Sequence, residues 1–176
     1  MNPSWEKYKH LWQRLDVPAK SLLLREGEIC QRIYLIRQGS IRAWFDHDGK
    51  EICFQFFFEG DVAYAPESFR RQTPSPIFIG TLEPCQLYWI DPAGMNTIRE
   101  DAAVYNQILD KVVERQSEDT RRFFTFLRDT PRQRYENLVQ HKPEIVQRVP
   151  LQYIASYLGI TQVSLSRIRN QIRPGK

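Results

Sequence analysis

Short apolar runs separated by turn residues fill the chain between about residues 21 and 90. The runs are rich in β-branched and aromatic residues, which favour strands, and Gly, Pro or Asp residues interrupt them at short intervals. Asp48-Gly49 lies between two runs, and both residues tolerate the positive φ of a tight hairpin turn. Strands of this number and spacing predict a small sandwich or barrel. The runs cover residues 22–24, 32–36, 41–45, 51–58, 77–80 and 86–90.

Apolar residues recur every three to four positions before and after this region, a spacing that predicts helices. The first fifteen or so residues predict a short amphipathic helix that ends near Asp16. A second helix of about 25 residues, within residues 99–128, would be roughly 40 Å long. The amino-terminal stripe is Trp5, Tyr8, Leu11, Trp12 and Leu15; the stripe of the long helix is Ala102, Tyr105, Leu109, Val113, Gln116, Thr120, Phe123, Phe124 and Leu127.

So small a β-domain cannot bury the whole of the long helix. Its apolar stripe is therefore a candidate dimer seam, in which Gln116 and Thr120 would be polar interruptions that set the register. The alternative is a helix packed wholly within its own subunit.

Asp129-Thr130-Pro131 predicts the end of the long helix and the start of another. Thr130 suits the N-cap and Pro131 the first helical position. This helix is expected to reach about Gln140 and to turn three side chains inward. The inward set is Tyr135, Leu138 and Val139.

Residues 151–172 have the spacing of a helix-turn-helix. The small Ala155 permits a close helix crossing, and Gly159 supplies the left-handed residue at the turn. Ile160 fills the corner, and Thr161 caps the second helix. The expected core positions are Leu151, Ile154, Ala155, Leu158, Leu165 and Ile168.

With the core positions assigned, helical geometry fixes the outward face of the second helix. In a DNA major groove, Arg167 would contact a guanine, Gln162 a base edge or a phosphate, and Val163 a thymine methyl. Phosphate contacts are expected from Thr161, Ser164 and Arg169. The alternative is a helical hairpin that only packs. The candidate DNA-binding residues are Thr161, Gln162, Val163, Ser164, Ser166, Arg167, Arg169 and Asn170.

The charge of the chain is unevenly distributed. The net charge is +4, but residues 1–110 hold 12 Lys and Arg against 15 Asp and Glu, whereas residues 111–176 hold 13 against 6. No acidic residue follows Glu144. A basic segment joined to a mildly acidic one is typical of a phosphate-binding module attached to a sensing or assembly module. A basic solubilising tail is the alternative.

Other classes of protein receive little support from the composition. Three separated cysteines without a C-x-x-C pair suggest buried thiols and neither a disulfide framework nor a zinc site. Three scattered histidines do not supply the ligands of a metal-dependent cupin enzyme. We expect no catalytic residues, metal or cofactor. The lack of a signal-peptide core or membrane-spanning run predicts a cytoplasmic protein that is not bound to a membrane.

The whole chain resembles the superfamily of the cyclic-AMP receptor protein and the oxygen regulator FNR. The resemblance rests on a glycine pattern in matching order: Gly27 in REGE, Gly39 in IYLIRQGSIRAWF, Asp48-Gly49-Lys50, and Gly60-Asp61 in EGDV. It implies an α+β protein with a jelly-roll-like β-roll domain at residues 1–98 and a long dimerisation helix at 99–128. A helix-turn-helix DNA-binding domain, of an abbreviated winged-helix type, would follow at 129–176.

Several departures limit what the resemblance implies. Members that bind cyclic nucleotides hold the ribose with a glutamate and the cyclic phosphate with an arginine. An ungapped count from Gly60-Asp61 places Ala65 at the glutamate and Ser75-Pro76-Ile77 at the arginine triplet. Cyclic-AMP binding is therefore not expected, because a buried phosphate would lack its charged partner. Candidate residues for a different effector are Tyr64, Ala65, Glu67, Arg70 and Ser75, although a solvated loop is the favoured interpretation of Glu67, Arg70 and Arg71.

Other features of the superfamily are also missing. The cysteine cluster of the iron–sulfur members is absent, and no axial haem pair is recognisable. PEIVQRV is too short for a wing hairpin, and only Arg173-Pro174-Gly175-Lys176 follows the recognition helix.

The sequence therefore predicts a homodimeric transcription regulator that binds double-stranded DNA at an inverted repeat. RNA polymerase would be a further partner if the protein is an activator, and the identity of any small-molecule effector is left open. The alternative is a ligand-binding or protein-interaction β-roll module whose helix-turn-helix is degenerate.

Overall fold

A computed structural model describes residues 7–172 of the chain. It divides into two compact units. Among the described residues, the first unit comprises 7–45 and 55–113, and the second comprises 46–54 and 114–172. The end of one β-hairpin therefore belongs to the same unit as the carboxyl-terminal helices.

Two four-stranded sheets form the β-roll that the sequence predicts. The strand order is β1-β8-β3-β6 in one sheet and β2-β7-β4-β5 in the other. All six predicted apolar runs are strands. The strands are β1 Gln13–Val17, β2 Leu22–Leu24, β3 Ile33–Gln38, β4 Ile41–His47, β5 Lys50–Phe57, β6 Val62–Ala63, β7 Phe78–Thr81 and β8 Cys85–Ile90.

The core of the β-roll follows from the alternation of side chains along these strands. Leu87 lies opposite Leu15 on one neighbouring strand and opposite Ile36 on the other. Directly opposed residues share a face of the sheet, so one apolar row crosses three strands. Leu87, together with Ile41 and Ile79 of the second sheet, is fully buried.

The predicted hairpin at Asp48-Gly49 is confirmed. Both residues have positive φ, 53° and 72°, as a tight turn between twisted strands requires. The Asp46 side chain accepts a hydrogen bond from Gly49 N at 3.0 Å, which fixes the turn further.

The prediction of an amino-terminal helix reaching Asp16 is wrong. Residues 7 and 8 are helical, a 3-10 turn covers Lys9–Leu11, and residues 13–17 form β1, paired with β8. Within β1, the apolar Leu15 and Val17 alternate with the polar Arg14 and Asp16, which is the two-residue spacing of a strand. Pairing with β8 gives the backbone groups of β1 their hydrogen-bond partners, so the strand forms although the apolar residues also fit helical spacing. Trp5 lies outside the described residues.

Three helices accompany the strands: the first lies between β6 and β7, and the other two follow β8 in chain order. They are α1 Pro66–Arg71, α2 Pro92–Arg99 and α3 Ala102–Arg128. α1 replaces the predicted solvated loop, since Pro66 suits its first turn and Glu67 pairs with Arg71 at 3.0 Å. α3 is the predicted long helix, and its first part to Val113 belongs to the first unit.

The second unit contains the remainder of α3 and four further helices. Thr130 and Gln133 form a capping box at the start of α4, as expected of Thr130 at the N-cap. Tyr135 and Leu138 are buried as predicted, but Val139 is 41% exposed because it lies beside the buried stripe. The helices are α4 Pro131–His141, α5 Pro143–Arg148, α6 Leu151–Tyr157 and α7 Gln162–Ile172.

In the segment PEIVQRV, residues Pro143–Arg148 form the helix α5, in which Ile145 is buried. From residue 91 to residue 172 the described chain has no strand.

Candidate nucleic-acid interface

The turn between α6 and α7 has the geometry of the predicted helix-turn-helix. Gly159 has φ +67°, and Ile160 N donates to Ala155 O at 3.0 Å, which reverses the chain within one turn. Ala155 of α6 is buried, and Leu165 of α7 is fully buried. These contacts fix which side of α7 faces outward.

Thr161 caps α7. Its Oγ1 accepts a hydrogen bond from Ser164 N at 3.1 Å and lies 2.9 Å from Ser164 Oγ. Because the first backbone N–H groups of a helix have no partner within the helix, the start of α7 presents donors and the positive end of the helix dipole. An anion such as a phosphate suits this end of the helix.

The candidate residues form two adjacent rows on α7. Val163, Arg167 and Asn170 are exposed at helical spacing, and Val163 is 61% exposed. Gln162 heads the second row and is exposed, whereas Ser166 and Arg169 of that row are half-buried. Exposed apolar, amide and guanidinium groups on one helix face can match the donors, acceptors and methyl groups of base edges.

Arg167 can reach a ligand freely. It is exposed and has no ion pair or hydrogen bond with any part of residues 7–172. Residues 145–176 contain no Asp or Glu side chain that could compete for it.

The second unit also holds α6 and α7 in place through contacts that the sequence pattern did not indicate. The Phe126 ring of α3 lies so close to Gly159 that a Cβ there would sit 2.8 Å from a ring carbon. Ser156 bonds to the backbone of the hairpin end, at Cys53 N and Glu51 O. A serine in a helix carries no sequence signal for such a distant partner, whereas the strong preference for glycine at a left-handed turn did identify Gly159.

The candidate effector residues are dispersed between buried and exposed positions of the β-roll. Ala65 and Ser75 are buried, and Ser75 Oγ donates to Ile77 O at 2.9 Å. Tyr64 packs edge-on against Phe69, and burial raises the pKa of its phenol. The last two candidates, Glu67 and Arg70, are exposed on α1.

An open cleft of about 480 Å³ lies at the start of α3 and does not include any of these candidates. There the Lys7 ammonium donates to Asp101 at 2.6 Å and holds the pKa of that carboxyl at about 2, assisted by Val104 N and the Tyr8 hydroxyl. The cleft is lined by Lys7, Tyr8, Thr97, Glu100, Asp101 and Ala102.

Two classes of site have no candidate among residues 7–172. No group of three or more His, Cys, Asp or Glu side chains in this part of the chain could hold a metal ion. None of its helices combines the length and the apolar character that a membrane crossing needs.

Comparison with known families identifies the β-roll. The sequence pattern of the cyclic nucleotide-binding domain matches residues 14–101, half of the chain. Comparison with curated protein sequences gives no match.

Solved structures extend the similarity to the whole chain. Clp of Xanthomonas campestris, a c-di-GMP responsive global regulator that links cell-cell signalling to virulence gene expression, is 16% identical with a TM-score of 0.78, over 97% of this chain and 90% of that one. The catabolite activator protein of Thermus thermophilus is 16% identical with a TM-score of 0.61, over 100% and 88%. A candidate regulator of the CRP/FNR family from Eubacterium rectale is 17% identical with a TM-score of 0.75, over 98% and 84%. At such identities the likeness concerns the fold.

Proposed function

Since the chain belongs to the cyclic nucleotide-binding domain family and has the fold of CRP/FNR regulators, we propose that it is a DNA-binding transcription regulator and not an enzyme. It acts as a homodimer, and each subunit inserts α7 into the major groove of one half of an inverted repeat.

The geometry of α7 is the observation that carries this proposal. A capped helix with a rigid turn before it presents Gln162, Val163, Arg167 and Asn170 to solvent. Arg167 contacts a guanine, Gln162 a base edge or phosphate, and Val163 a thymine methyl. Thr161, Ser164 and Arg169 serve mainly phosphates, and Ser166 with Asn170 completes the face.

Dimerisation is supported by the exposure of α3. None of its 27 residues is buried in the single chain. Large apolar side chains nevertheless recur along its predicted stripe, and the most exposed of them are Leu127 (67%), Phe124 (62%), Val113 (59%) and Phe123 (59%). Gln116 and Thr120 lie between them in the same stripe. A heptad stripe of this kind is buried when two parallel helices pair.

The β-roll is not a cyclic-AMP site in this proposal. Ala65 has no charge to hold a ribose, and Ser75 already exchanges backbone hydrogen bonds of 2.8 Å with Gly27 and Glu28. A cyclic phosphate buried at Ser75 would find no arginine at this position to pair with. The domain serves as a scaffold or takes a different ligand.

Selection of genomic fragments by the purified protein, without added ligand, tests the proposal. We expect enrichment of a motif with dyad symmetry whose half-sites are about one helical turn, roughly 34 Å, apart or a multiple of it. Enriched sequences without a dyad would refute the dimeric mode. Absence of enrichment together with a stable dimer would favour a protein-interaction module.

A further inference from the structure

We propose that Ser156 is a positioning residue for DNA reading: its hydroxyl attaches the first helix of the helix-turn-helix to the hairpin end formed by residues 46–54. The two hydrogen bonds of this hydroxyl are called the latch. The inference rests on the proposed function, since positioning matters only if α7 reads DNA.

The Ser156 hydroxyl makes two hydrogen bonds with one strand. Its Oγ accepts from Cys53 N at 2.9 Å and donates to Glu51 O at 2.8 Å. Among residues 7–172, β5 is the last strand of its sheet, so no further strand of that sheet covers its outer edge. Glu51 and Cys53 are two residues apart and present their backbone groups to the same edge. The hydroxyl thus takes the place of a neighbouring strand.

A second contact from α3 reaches the same hairpin end. The Arg122 guanidinium donates to Phe54 O and also lies 4.7 Å from the centre of the Tyr157 ring. Tyr157 follows Ser156 in α6, so hairpin end, α3 and α6 meet through adjacent residues. A cation over an aromatic face favours one fixed arrangement of these three segments.

A third contact holds the carboxyl end of α6 on α3. The Phe126 ring lies against Gly159, and the Arg134 guanidinium stacks on the ring at 4.3 Å and donates to Phe126 O at 3.1 Å. All three contacts lie within the second unit.

Together these contacts fix the orientation of α6 and α7 relative to the second half of α3. In a dimer paired through α3, the same contacts would fix the distance between the two recognition helices. Such a dimer should accept one half-site spacing and discriminate against others, because each base pair added rotates one half-site by about one tenth of a turn. Loss of the latch leaves the reading surface of α7 intact but widens the range of spacings that it can reach.

Two readouts on the full-length chain test the latch, with Ser156→Ala as the variant. Ser21→Ala is the control, because it removes a hydroxyl that bonds to a single carbonyl in the other unit, Pro18 O. The first readout is hydrogen exchange of the Cys53 amide in the free protein. We expect exchange about 2- to 12-fold faster in Ser156→Ala, the range for one lost hydrogen bond, and no change in the control.

The second readout is affinity for a series of synthetic dyads whose half-sites are moved apart by one and two base pairs, and for a single half-site. In Ser156→Ala, the ratio of the affinity for the best spacing to the affinity for the other spacings should fall at least about 3-fold. The affinity for the single half-site should not change. A purely structural role would lower both affinities alike.

Three other results would refute the latch, the positioning role or the proposed function, respectively. Unchanged exchange at Cys53 refutes the latch. Faster exchange with an unchanged spacing preference refutes the positioning role. Absence of DNA binding by the unmodified chain refutes the proposed function instead, and exchange at Cys53 then still decides whether the latch exists.

Discussion

Replacing Gly159 with alanine should destabilise the second unit by two separable effects. At φ +67° an alanine pays a steric cost of about 1–2 kcal/mol that glycine avoids. Its Cβ would also lie 2.8 and 2.9 Å from two ring carbons of Phe126, closer than van der Waals contact allows. The ring must then shift and lose its stacking with Arg134, which adds about 0.5–1 kcal/mol. The total is about 1.5–3 kcal/mol.

Gly49→Ala is the matched control for this prediction. Gly49 also has positive φ, +72°, and belongs to the same unit, but a Cβ there meets nothing within 4 Å. It should cost only the backbone part, about 1–2 kcal/mol. Urea unfolding followed by circular dichroism gives both values as changes in midpoint at constant m-value.

A double-mutant cycle separates the ring effect from the backbone effect. In a Phe126→Ala background, Gly159→Ala should cost no more than Gly49→Ala does in the unmodified chain. Equal costs for Gly159→Ala with and without the Phe126 ring would refute the contact, and with it one of the three contacts that orient α6.

Three further predictions concern the helix seam, the thiols and acid stability. Leu127→Glu should raise the dimer dissociation constant, measured by sedimentation, at least about 100-fold, because it places an unpaired charge in the seam. Lys111→Glu, on the opposite side of α3, should leave this constant unchanged. The three cysteines, all buried, should react with a maleimide at least about tenfold more slowly in the native protein than in urea. Lys7 lowers the pKa of Asp101 from 3.8 to about 2. The ionised Asp101 carboxylate therefore contributes its stability above about pH 4, and this contribution is lost as the pH falls through 2. Asp101→Asn should remove this part of the acid dependence of Tm.

Local chemistry made the β-roll strands and the helix-turn-helix predictable. A hairpin at Asp48-Gly49 and a helix turn at Gly159 both need backbone conformations that few residues adopt, so their sequence signals are specific. The N-cap at Thr130 is equally local, since its capping box involves a residue only three positions away.

Tertiary pairing decided what the sequence pattern did not reveal. Residues 13–17 contain apolar positions compatible with a helix and with a strand, and only the partner strand β8 selects the strand. The bonds of Ser156 join residues more than 100 positions apart and have no local signature. Val139 was misassigned because an apolar residue next to a buried stripe need not be part of it.

Binding of a selected dyad by the unmodified chain and by Arg167→Ala tests the central claim, that α7 reads base pairs, most directly. Arg14→Ala is the control, since Arg14 is also an exposed arginine but lies in the β-roll. We predict that Arg167→Ala weakens binding by about 1–3 kcal/mol and relaxes preference at one base pair in each half-site, while Arg14→Ala changes neither. An Arg167→Ala protein with unchanged affinity and unchanged preference at every base pair would contradict the account.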